Sequence, residues 1–66
     1  MRLKLDKESD ILYFRLDESS IIDSEEVKPG IVLDFNKEGQ VVGIEILEVS
    51  GRISVDELKK LECEVA

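Results

Sequence analysis

The stretch Ile31-Val32-Leu33-Asp34-Phe35-Asn36-Lys37-Glu38-Gly39-Gln40-Val41-Val42-Gly43-Ile44-Glu45-Ile46-Leu47 decides the fold class. Ile31, Leu33 and Phe35 alternate with Val32, Asp34 and Asn36, and Val42, Ile44 and Ile46 alternate with Val41, Gly43, Glu45 and Leu47. A period of two is the mark of a strand, because successive side chains point to opposite faces. Between the two runs, Asn36-Lys37-Glu38-Gly39 has turn chemistry, with Gly39 free to adopt a left-handed conformation. The segment therefore predicts a hairpin, strand 31–36 and strand 40–49. Its register stays open. With Phe35 opposite Gln40, Glu45 lies more than ~10 Å from Asp34 along the strand. With Phe35 opposite Val42, Asp34 faces Gly43 and Glu45 is a diagonal neighbour at ~7–8 Å.

Working outward, residues 2–6 and 11–16 alternate in the same way around the polar turn Lys7-Glu8-Ser9-Asp10. A four-residue loop sets Leu5 against Leu12 and Leu3 against Phe14, so both apolar faces fall on one side. Residues 17–28 are irregular and leave room for one short edge strand. Lys28-Pro29-Gly30-Ile31 fits a type II turn. Near the C-terminus, Ser54 followed by Glu57 is a capping box, and Val55, Leu58 and Leu61 continue at helical spacing. The expectation is an α+β fold in a single domain, residues 1–66. It comprises a small antiparallel β-meander of four to five strands over 1–49 and one C-terminal helix, 54–62, packed on one face.

The whole chain has 66 residues, nine basic against sixteen acidic, with no histidine, no tryptophan and one cysteine. A domain of this size buries only about 60% of the surface its unfolded chain exposes, and small scaffolds usually need a staple. Cys63 alone cannot form an internal disulfide. The staple most readily at hand is a second subunit or a partner protein. A net charge of −7 repels phosphate, which argues against nucleic acid and anionic membrane and in favour of a basic partner. No apolar run approaches the ~20 residues of a membrane span. Charges inside the only apolar run of the N-terminus argue against a signal peptide. With a lone cysteine, the expectation is a cytoplasmic protein without cofactor.

Three stretches, Asp10-Ile11-Leu12-Tyr13-Phe14, Pro29 to Phe35 and Gly39 to Leu47, resemble the signature of domain-of-unknown-function family 2283. The similarity covers residues 1–52, and the Gly43-Ile44-Glu45-Ile46-Leu47 string is its most specific part. Members of that family are small prokaryotic proteins. The resemblance implies the fold above and a relation to toxin–antitoxin-like pairs, with this chain as the acidic partner. It implies no catalytic residue, since the family defines none.

Without histidine, Ser-His-Asp and Cys-His arrangements and the common zinc sites are absent. Cys63 lies between Glu62 and Glu64, an environment that blunts a thiol. Asp34 and Glu45 share the non-core face and could form a carboxylate pair for a small enzyme or a metal site, or could simply solvate that face, Glu45 pairing with Arg15. Asp6, Glu8 and Asp10 are oxygen donors for a hard cation, in a loop that lacks the glycine bend of an EF-hand. The more informative feature is the face opposite the helix, where Ile11, Tyr13, Arg15, Val32, Asp34, Val41, Gly43, Glu45 and Leu47 fall together. It is more apolar than a solvated face needs to be, although β-propensity alone also favours such residues. Gly43 leaves space for another surface or for the ring of Tyr13. These residues are the candidate interface, most simply of a homodimer, and the leading expectation is a non-enzymatic interaction module.

Overall fold

The computed structural model describes all residues, Met1–Ala66. Five strands form one antiparallel sheet: β1 (Arg2–Asp6), β2 (Ile11–Arg15), β3 (Asp23–Lys28), β4 (Ile31–Phe35) and β5 (Val41–Leu47). Their order across the sheet is β1-β2-β5-β4-β3. The β1–β2 hairpin pairs Leu5 with Leu12 and Leu3 with Phe14, as the alternation requires. The order refines the expected meander at one place. Strands β3, β4 and β5 follow one another as a meander, but segment 16–22 carries the chain across so that β5, not β3, lies beside β2. The edge strand expected within 17–28 is β3, exposed along its whole length.

The β3–β4 and β4–β5 turns use the glycines that local chemistry singles out. Gly30 has φ +81° and Gly39 φ +78°, conformations that cost a residue with a Cβ. Asn36 completes the second turn. Its Oδ1 accepts hydrogen bonds at 3.0 Å from the N–H groups of Glu38 and Gln40, and its amide donates to Gln40 Oε1 at 3.0 Å. These bonds let a polar side chain sit 5% exposed.

The sheet has two unlike faces. The leucine face carries Leu3, Leu5, Leu12, Phe14, Leu33, Ile44 and Ile46, which the ladders align in rows. The tyrosine face carries Tyr13, Arg15, Val32, Asp34, Gly43 and Glu45. After β5, a 3-10 turn (Val49–Gly51) buries Val49. Asp10, left-handed at φ 58°, holds this turn: its carboxylate accepts from Ser50 N–H at 3.0 Å and from Ser50 Oγ at 2.6 Å.

The C-terminal helix is shorter than its spacing predicts. Helix α1 spans Val55–Leu58 only, four residues in place of 54–62. The cap is present, with Ser54 Oγ accepting from Glu57 N–H at 3.1 Å. Beyond Leu58 the bonds tighten to i, i+3, Lys60 to Glu57 and Leu61 to Leu58, and the helix ends. Two forces oppose its extension. A short helix owes its stability to a packed apolar face, and of α1 only Leu58 is half-buried. Glu62 and Glu64 would also place negative charge at the negative end of the macrodipole. No helix is long and apolar enough to cross a membrane.

Candidate functional site

On the tyrosine face, the β4–β5 register places Asp34 opposite Gly43 and Val32 opposite Glu45. This is the closer of the two registers open on sequence, with one change. A bulge between Asp34 and Phe35 sets Phe35 opposite Val41 rather than Val42. Strand β2 supplies the other side, with Tyr13 opposite Glu45, Arg15 opposite Gly43 and Ile11 opposite Leu47. All nine residues of the expected interface therefore lie in β2, β4 and β5, the three central strands. Ile11, Tyr13, Arg15, Val32, Val41, Glu45 and Leu47 are half-buried, and Asp34 and Gly43 are buried.

Asp34 is the unusual member, a carboxylate only 2% exposed. Its Oδ1 accepts from Ser24 Oγ at 2.6 Å, which ties edge strand β3 to β4. Its Oδ2 is buried with no hydrogen-bond partner among the ordinary donors. Beside it, burial raises the pKa of Glu45, and a hydrogen bond with Asp34 and the repulsion of its charge push in the same direction. Two carboxyl groups in contact bond only when one carries a proton. The raised pKa of Glu45 favours the protonated form that can donate to Asp34. Gly43 makes the arrangement possible, since a Cβ there would stand 2.9 Å from Asp34 Oδ2 and 3.2 Å from the Tyr13 hydroxyl.

Arg15 does not serve these acids. Its guanidinium donates to the Tyr13 hydroxyl at 3.0 Å and to the carbonyls of Asp17 and Ser19. It ties the crossover segment to the tyrosine face, so the expected pairing of Arg15 with Glu45 is not made. Asp6, Glu8 and Asp10 do not converge either. The Asp6 carboxylate is engaged by the N–H groups of Glu8 and Ser9, and Asp10 by Ser50. No group of three or more acidic, cysteine or histidine side chains is placed to hold a metal ion.

The leucine face presents something that sequence reasoning assigned to a covered core. Because α1 is short, a groove of ≈ 830 Å³ remains open between the sheet and the C-terminal segment. Leu3, Leu12, Phe14, Ile44 and Ile46 form its floor, and Ile53, Leu58 and Leu61 its wall, with Glu57, Glu62 and Glu64 among its lining. A second hollow of ≈ 460 Å³ adjoins it across Ile53 and Leu58. Several exposed apolar side chains line it, Leu3 at 39% and Leu61 at 64%, while Ile22 of the crossover segment and Val27 of β3 are exposed elsewhere. None of the apolar residues of the tyrosine face is exposed to that extent. The signal that could have pointed to the groove is the run Glu62-Cys63-Glu64, which sets acids where a helix C-terminus favours cations.

Among curated proteins and among solved structures nothing matches this chain. The family model described as "Protein of unknown function (DUF2283)" matches residues 2–50, β1 through the start of the 3-10 turn, and leaves out α1 and the wall of the groove. The chain belongs to that family.

Proposed function

We propose that the protein is a non-enzymatic interaction module that binds a basic polypeptide partner. The observation that carries this reading is surface area. The chain exposes 5138 Å², whereas a folded monomer of 7.5 kDa exposes about 4,200 Å². The surplus of about 900 Å² is close to the ~800 Å² that one partner contributes to a standard interface. The radius of gyration agrees in sense, 12.6 Å against about 11 Å for a compact chain of this length. Only two apolar residues, Val42 and Val49, are buried. A net charge of −7 selects the sign of the partner. The toxin pairing that the family resemblance implies is one case of such a partner. The alternative of a carboxylate-based enzyme gains little support, because Asp34 is buried and only Glu45 could meet a substrate.

The test is to isolate the chain from its own cell at low salt and to ask what accompanies it. A basic protein whose association weakens steeply between 50 and 500 mM salt, roughly as screening shortens the Debye length, supports the reading. A chain that sediments as a monomer and brings down no partner at any salt overturns it. Self-association through the tyrosine face is the second reading, favoured by the absence of any helix over that face. It requires a dimer at micromolar concentration that Val41→Lys dissociates with the sheet intact.

A further inference from the structure

We propose that the apolar groove on the leucine face is the seat of a basic amphipathic helix supplied by the partner. This rests on the interaction reading above and names its site. The floor spans β1, β2 and β5, three adjacent strands. At ~4.8 Å between strands the floor is about 10 Å wide, the width of one α-helix with its side chains, about 10–12 Å. An apolar stripe at i, i+3, i+4 and i+7 is the complement of such a floor. The rim decides what flanks the stripe. Glu62 and Glu64 carry no salt bridge, Glu57 has only Lys60 at 3.8 Å, and the one arginine at the groove, Arg2, is already answered by Glu18 at 3.0 Å. Lysine or arginine beside the stripe meets unpaired acids there. A second copy of this chain would set acidic rim against acidic rim, and an anionic lipid surface would be repelled by the same charges.

The probe is a labelled fourteen-residue peptide with leucines at helical spacing and lysines elsewhere. Its control has the same composition in an order that abolishes the apolar face. Both are titrated against the full chain, with anisotropy and circular dichroism as readouts. The expected result is binding of the patterned peptide, with a gain of helix, at least tenfold tighter than the control. Leu3→Asp and Leu61→Asp then separate groove from charge. Each adds an acid, so attraction by charge alone predicts tighter binding, whereas loss of the groove weakens it at least tenfold. Both positions are exposed, and the sheet signal reports whether the variants remain folded. Equal binding of the two peptides, or tighter binding by the Asp variants, overturns the assignment. So does a wild-type dimer that Leu61→Asp dissociates, since the occupant would then be a second copy. A native basic partner still held by both Asp variants overturns the groove while leaving the interaction reading in place.

Discussion

A Cβ at position 43 would stand 2.9 Å from Asp34 Oδ2, so Gly43 is the space into which the buried carboxylate fits. The two residues are directly opposed across β4 and β5. Strand interiors normally disfavour glycine for want of a side chain to pack. Here the missing side chain is what lets a carboxylate and the Tyr13 hydroxyl share one spot.

Gly43→Ala should therefore destabilise the protein by about 1–3 kcal/mol, the range for overpacking a close-packed site. Urea unfolding measures it. In the background of Asp34→Ala the obstructing carboxylate is gone, and the cost of Gly43→Ala should shrink by more than half, a coupling that a double-mutant cycle reads directly. Additive losses would mean that position 43 is not in contact with Asp34.

Glu45 gives a pH dependence of definite sign. Its folded pKa is raised above the ordinary value of 4.5, by burial first and by Asp34 second. The folded state then holds the proton more tightly than the unfolded chain. Its contribution to stability is greatest at acid pH and is lost as pH rises from about 4.5 through the raised folded value. Asp6 and Asp17, whose pKa values are lowered by hydrogen bonds from Ser9 and Ser19, act in the opposite direction at lower pH. The Glu45→Gln variant isolates the effect, since its amide donates to Asp34 at every pH. It should match the wild type near pH 4 and exceed it at pH 7 by about 1 kcal/mol, the net value of one hydrogen bond. Thermal unfolding from pH 4 to 8 checks the divergence.

Asp10 and Ser50 are forty residues apart and bonded at 2.6 Å. Asp10→Ala loses both hydrogen bonds and places alanine at φ 58°, which should cost about 1–3 kcal/mol. Asp10→Asn keeps an acceptor and tolerates the left-handed conformation, so it should lose less than half as much. Equilibrium denaturation of the pair distinguishes them. Equal losses would show that charge, not geometry, holds the 3-10 turn.

Phe14 lies on the groove floor and is half-buried. Removing the ring from a closed core costs about 3–5 kcal/mol, and with part of the ring facing an open groove Phe14→Ala should cost about 2 kcal/mol. Saturating partner helix would cover the ring, so the loss in partner affinity should accompany the loss in stability. A stability cost below half a kilocalorie per mole would remove Phe14 from the structural face altogether.

Some of this architecture is local and so legible in the residue order. Alternation sets Leu3 against Phe14 and Leu5 against Leu12 because period two and a four-residue turn leave one register that buries both faces' leucines together. The glycine turns at 30 and 39 and the Ser54 cap follow from dihedral preference and from one side chain reaching one N–H. What only the tertiary structure decided is how distant pieces meet. The crossover inserts β5 between β2 and β4, which puts Tyr13 opposite Glu45. The register that sets Asp34 opposite Gly43, with the Ser24 hydroxyl of β3 and Glu45 beside it, buries a carboxylate that alternation alone would leave in water. The same holds for the helix. Its spacing allows 54–62, but a helix persists only where its apolar face is packed, and the fold gives that face a partner only at Leu58, so the groove stays open.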